Sequence, residues 1–317
     1  MPASKGELLA IKVTFWGVRG SIPTPGKTTV RYGGNTACLE LRFGAEDRLI
    51  IVDAGSGIRE LAGEILRKDL KKNGHVETKI FLTHTHWDHI MGYPFFTPIY
   101  IKNTKLEVFG PVSFEEDPLE NVVGGQLQYK YFPVNLGQLE ADIHYTRLKE
   151  VEQDLGGGIK LTTKYLNHPI TVLGYKFEYQ GKVFCTAYDH EPYSNIFDVP
   201  PSDPSYNPEA VREGALAAKE ENDKVEAFFA GADVLVHDSQ YTDKEYLKDK
   251  KGWGHSSFEW AIKSAHRARV KHLVLFHHDP ERSDDKLEEL YNGYLSKIKG
   301  QTTMRVSLAQ EGASIEV

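Results

Sequence analysis

The sequence predicts an α+β protein arranged as a four-layer αβ/βα sandwich, two mixed β-sheets packed face to face with helices outside them. Three observations predict it. Short apolar runs recur in both halves of the chain, helical patterns intervene between them, and polar clusters stand directly at the ends of the runs. Polar side chains held at strand ends imply a site built along one edge of the sandwich.

Ile11–Trp16 alternates like a half-buried strand and is turned by Gly17-Val18-Arg19-Gly20-Ser21. A Gly/Pro/Asn loop over 23–35, containing Tyr32-Gly33-Gly34-Asn35, separates it from a strand over Ala37–Phe43. Leu49–Val52 is a further strand, ended by Asp53-Ala54-Gly55-Ser56-Gly57 and followed by an amphipathic helix over 58–71. Lys79–Thr83 and Leu106–Phe109 read as strands; 112–147 reads as helical around 118–131 and then as turns. Ile159–Leu166 leads to Asn167-His168-Pro169, and the runs Leu173–Tyr179 and Lys182–Thr186 form a hairpin around Gln180-Gly181. The prolines of 191–208 imply an irregular excursion. Helices over 208–229, 256–269 and 284–299 alternate with strands at Val234–Val236, Leu273–Phe276 and Thr303–Ala309.

With 317 residues, 40% of them hydrophobic, the chain can bury a large core, and it reads as one domain, 1–317, with insertions near 112–147 and 191–208. The formal charge of -7 argues against a broad electrostatic grip on nucleic acid. Cys38 and Cys185 fit neither a disulfide framework nor a Cys-x-x-Cys zinc site. Met1 to Leu9 has no apolar core behind a basic cap, and no run is long enough for a membrane span, so a cytoplasmic protein without membrane contact is expected.

The densest chemistry is Thr83-His84-Thr85-His86-Trp87-Asp88-His89, directly after a buried strand. His84 and His86, two apart in extended backbone, project to one side and can grip one ion. Asp88 and His89 follow a change of direction and aim at a neighbouring point. A catalytic ion takes about three protein ligands plus water, so two ions require further ligands downstream. His168, Asp189 and His277 each follow an apolar strand. His168 completes a site with His84 and His86, His277 joins Asp88 and His89, and Asp189 bridges, for two ions about 3.5–4 Å apart.

These residues, in this order, resemble the metallo-β-lactamase-fold metal-dependent hydrolases. The motifs at 17–21, 32–36 and 53–55, with Gly254-His255-Ser256-Ser257, make the chain similar to the ribonuclease Z-like and cyclic-nucleotide phosphodiesterase branch. The resemblance implies a phosphodiesterase in which Asp88 helps orient an attacking hydroxide shared by the ions. It implies that His255, oriented by Asp238, protonates the leaving oxygen; the family more often has Glu at the position of Asp238. Arg19 and Asn35 are candidates to touch the substrate phosphate. The expected cofactors are two divalent ions, zinc first, with manganese or iron as alternatives. The expected substrate is a small phosphodiester, a cyclic nucleotide, since no Gly/Pro-rich arm for docking transfer RNA is evident. The alternatives are an RNA-processing nuclease of the ribonuclease Z type and a non-hydrolytic di-iron protein that binds oxygen. His86 argues against the flavodiiron branch, which carries a carboxylate in that stretch. Family habit implies a homodimer. His190, His237 and His278 read as neighbours of the site rather than ligands, and His75, His144, His266 and His272 as ordinary surface or structural residues.

Overall fold

A computed structural model describes residues 10–112 and 117–317, so the reading of Met1 to Leu9 lies outside the described residues. Two seven-stranded sheets form the centre of the molecule. In the first, β1 (Ile11–Gly17) pairs antiparallel with β2 (Cys38–Phe43), and β2 with β3 (Arg48–Val52). Three parallel strands then extend the sheet, β4 (Val76–Phe81), β5 (Thr104–Pro111) and β6 (Asp142–Leu148).

The second sheet begins with four antiparallel strands, β7 (Glu152–Asp154), β8 (Lys160–Leu166), β9 (Val172–Tyr179) and β10 (Lys182–Ala187). It continues in parallel through β11 (Val234–Asp238), β12 (His272–Phe276) and β13 (Arg305–Leu308). The last strand, β14 (Ser314–Glu316), returns to the first sheet and pairs antiparallel with β1.

Between the sheets lies an apolar core drawn from both. Phe81 on β4 stacks on Phe109 with ring centroids 4.6 Å apart and meets Phe177 of the second sheet edge-on at 5.6 Å. The outer faces are covered by helices whose apolar residues recur with the helical period. Ile58, Leu61, Ala62 and Ile65 line the buried stripe of the helix Ile58–Ile65. Helices Pro208–Phe228, Phe258–Arg267 and Asp284–Ile298 cover the second sheet. The four-layer αβ/βα sandwich expected from the sequence is the fold observed. Among the described residues no helix is long and apolar enough to cross a membrane.

One expectation changes and one holds. Among its described residues the 112–147 segment carries a short α-helix at Leu119–Gly124 and a 3-10 turn at Leu136–Gln138, and its last residues form the edge strand β6 rather than turns. Residues 191–207 carry neither helix nor strand, as their prolines require. The chain directions place the C-terminal ends of β3, β4, β8, β10, β11 and β12 along one edge of the sandwich. Each of these ends is followed within a few residues by a side chain of the cluster described next.

Candidate metal centre

After β4 the chain leaves the sheet through Leu82 and Thr83, and His84, His86 and His168 meet there. His168 arrives from the end of β8, with its Nε2 3.1 Å from Nδ1 of His86. The carbonyl oxygen of Gly254 lies 2.8 Å from Nδ1 of His168 and can only accept, so the ring carries its proton there and turns an unprotonated Nε2 inward. Burial lowers the pKa of His168 to about 4, which keeps the ring neutral. A Cβ at Gly254 would stand 2.1 Å from His168 Nδ1, so this approach requires glycine.

Asp88, His89, Asp189 and His277 form the second group. His277 Nε2 and His89 Nε2 lie 3.2 and 3.3 Å from Asp88 Oδ2. Asp189 stands between the two groups. Its Oδ1 is 3.3 Å from Nε2 of both His89 and His277, whereas Oδ2 faces His84 Nε2 at 3.5 Å and His168 Nε2 at 3.9 Å. Two sets of imidazoles thus share one carboxylate, an oxygen each.

The surrounding backbone and side chains hold these groups in place. Asp53, at the end of β3, accepts from Thr83 N–H at 2.7 Å and Tyr188 O–H at 2.9 Å, and its Oδ2 lies 2.8 Å from His89 Nδ1. That contact fixes the His89 tautomer with Nε2 toward Asp88 and Asp189. Ser21 N–H donates to Asp88 Oδ2 at 2.7 Å, and Gln240 Oε1 lies 3.1 Å from His277 Nδ1. Ser21, Asp53, Asp189 and His277 all hold positive φ, between 57° and 65°. Four non-glycine residues in the left-handed region around one point is a local strain that the packed sheets sustain.

The donor set suits divalent cations. His84 Nε2, His89 Nε2 and Asp189 Oδ1 are buried with no hydrogen-bond partner. Orphaned buried polar atoms are costly, and here they converge on shared points, as ligands do. Burial disfavours charge on His89, yet Asp189, Asp88 and Asp53 together hold its pKa well above the usual value. Such an excess of negative field around a single imidazole is what a bound cation neutralises.

Beside the two groups stands His255, 8% exposed, with Nδ1 2.8 Å from Asp238 Oδ2. Its ring stacks on His277 at 4.9 Å and lies 5.3 Å from His168. The shorter Asp side chain reaches because Asp238 ends β11 next to the loop that carries His255. Burial opposes charge on this ring, but the Asp238 carboxylate outweighs it and raises the pKa to about 9.

Arg19 and Asn35 are not placed as the sequence suggested. Arg19 is fully buried, and its guanidinium donates to the carbonyls of Gly33, Asp279 and Arg282 and to Asp284 Oδ1 at 2.9 Å. Asn35 donates to Glu311 and accepts from Ser56. Both are engaged in tying the 17–36 segment to the second half of the chain rather than turned toward the clustered imidazoles. His190 accepts from Asn167 N–H, and His237 and His278 lie at 2.7 and 2.9 Å from the carbonyl oxygens of Asp238 and Ala309. The roles of Asp53 and Gln240 were not legible in the sequence. Asp53 carried a signal, an acidic residue closing an apolar strand, but its partner lies 36 residues on.

The model of the "Metallo-beta-lactamase superfamily" matches residues 31–225. A ribonuclease Z of Thermoplasma acidophilum is 26% identical over 314 residues, covering 90% of this chain and 94% of that protein. Among solved structures, the metallo-beta-lactamase fold protein YhfI from Bacillus subtilis is 18% identical with a TM-score of 0.63, covering 97% of this chain and 99% of that one. The short form of human tRNase Z is 20% identical with a TM-score of 0.59, covering 96% and 99%. Family match, fold and the order of the clustered residues agree, and the chain belongs to the metallo-beta-lactamase superfamily, within its ribonuclease Z-like branch of metal-dependent hydrolases.

Proposed function

We propose that this chain hydrolyses a phosphodiester bond of RNA. The observation that carries the reading is the split of Asp189, whose two oxygens face two separate sets of imidazoles. In this reading His84, His86 and His168 hold one divalent ion, Asp88, His89 and His277 the other, and Asp189 both. Two ions so held would supply a bound water of lowered pKa and would neutralise charge on the phosphoryl oxygens.

The chain's own residues supply the rest. Asp88, fixed by Ser21 N–H, orients the attacking water. His255 keeps one proton on Nδ1 toward Asp238 and gives the proton on Nε2 to the leaving oxygen as the P–O bond breaks. The imidazole and carboxylate ligands suit zinc first, with manganese and iron as alternatives.

RNA takes precedence over the small cyclic nucleotide expected from the acidic charge because of the curated relatives. Those from Thermoplasma acidophilum and Nitrosopumilus maritimus, both named ribonuclease Z, match 90% and 88% of this chain. The test is initial rates with zinc-, manganese- and iron-loaded protein on a short RNA, cyclic mononucleotides, cyclic dinucleotides and a nitrophenyl diester, with His84→Ala as control. RNA is expected to turn over fastest, and only in the wild type. Turnover of a cyclic nucleotide alone would return the reading to a small diester, and no turnover of any diester would remove it.

A further inference from the structure

The residues just before His255 form a loop held in place with unusual care. Glu191, buried and two residues past Asp189, accepts from Tyr246 O–H at 2.7 Å and from the N–H groups of Gly252 and Gly254 at 2.8 Å each. One carboxylate thus fastens residues 246–254 to the end of β10. On this loop Trp253 stands 55% exposed, and the Lys250 ammonium lies 4.0 Å from the centroid of its ring. The same ammonium is 5.8 Å from the Tyr241 ring, which meets His255 edge-on at 6.0 Å. The Tyr241 ring is thus a shared neighbour of the Lys250 ammonium and His255, and Trp253 precedes His255 by two residues.

An isolated exposed indole needs no explanation. This one differs because its segment is fastened by the Glu191 carboxylate, because a cation is already drawn to it, and because it lies two residues before His255, which the proposed chemistry assigns to the leaving oxygen. An exposed aromatic face next to an ammonium matches a nucleobase and its adjoining phosphate. Stacking is tolerant of base identity, and the cation meets the backbone charge. From this arrangement we infer that Trp253 and Lys250 form a subsite for the nucleoside on the leaving-group side of the scissile bond, with the indole stacked on its base and the ammonium at its phosphate. The inference rests on the phosphodiester reading and narrows it: substrates whose leaving group is a nucleoside are preferred over those whose leaving group lacks a base.

The test separates the subsite from the chemistry. Metal-loaded protein is titrated calorimetrically with a nucleoside monophosphate and with ribose phosphate, neither of which contains a diester. The wild type is expected to bind the nucleotide about tenfold more tightly than ribose phosphate. Trp253→Ala should bring the two affinities together, and Trp253→Phe should keep most of the difference, with metal content and melting temperature unchanged in both. Equal affinities in the wild type, or an undiminished preference in Trp253→Ala, would overturn the subsite. A parallel comparison of short RNA with a cyclic mononucleotide shows which source of base the subsite serves. Preference for the base without turnover of either would end the hydrolytic reading and leave the subsite standing.

Discussion

At the scale of single residues, position in the site and role in the site come apart. His255 and Asp238 lie close enough to Asp189 and His277 to be grouped with them as a further set of possible ligands. A 2.8 Å contact to a carboxylate and a pKa raised to about 9 describe a proton donor instead. His255→Ala should lower kcat on RNA by about 10²-fold or more while the purified protein keeps its full metal content. Lost metal would make His255 a ligand, and an unchanged kcat would remove it from the chemistry. Arg19 shows the reverse case, a residue near the site that serves the fold. Its pair with Asp284 is buried, so removing the guanidinium leaves an uncompensated carboxylate there. Arg19→Met should therefore cost about 3–5 kcal/mol of stability in denaturant titrations and leave KM for RNA unchanged. A raised KM at full stability would restore the phosphate contact. The clustered side chains were legible in the sequence because four of them fall within six residues of the β4 end and the others stand at or just past apolar strands; the orienting groups were not, because Asp53 and Gln240 act across folds of the chain that no spacing reveals.

At the scale of elements, β11 and β12 were legible because they are buried on both faces and carry unbroken apolar runs. β12 is buried along its whole length and leads straight to His277. The hairpin of β9 and β10 was equally plain, since Gln180 and Gly181 both take positive φ, as a two-residue loop requires. β6 escaped because an edge strand half exposed to solvent has too weak an apolar pattern to separate it from turns, and only its parallel pairing with β5 makes it a strand. Burial inside the sheet also sets a pH response. His272, the first residue of β12, has its Nε2 2.8 Å from Ser307 Oγ on β13, and burial, helped by Arg305, lowers its pKa to about 4. The unfolded chain binds a proton on this ring near pH 6.5, and the folded chain does so only near pH 4. Its contribution to stability is thus present above about pH 6.5 and lost as the pH falls through about 4. His272→Gln, which keeps a donor for Ser307, should show a smaller loss of denaturation midpoint than the wild type between those two values. Identical pH profiles would show that His272 is not held neutral.

At the scale of the whole molecule, the site is a seam between the sheets. His84, His86, Asp88 and His89 come from the loop and short helix (Trp87–Ile90) after β4 in the first sheet, and His168, Asp189 and His277 from strand ends of the second. Direct hydrogen bonds already join the two sheets at this edge: Leu173 N–H donates to Thr83 O at 2.9 Å, Tyr175 O–H to Leu82 O at 2.5 Å and Tyr188 O–H to Asp53 Oδ2 at 2.9 Å. Ions that take ligands from both sheets act as cross-links, and any ligand bound by the folded state alone stabilises it by mass action, by about 4 kcal/mol at a thousandfold excess over Kd. Without them, the same seam holds buried imidazole and carboxylate atoms with no partner. Chelation should therefore lower the unfolding midpoint by roughly 10 °C, given about 2–4 °C per kcal/mol for a large domain. Readdition of zinc should restore it, and His84→Ala should respond less than the wild type. If stripped and loaded protein melt together, the seven side chains do not bind ions across the seam, and both the ligand assignment and the chemistry built on it fail.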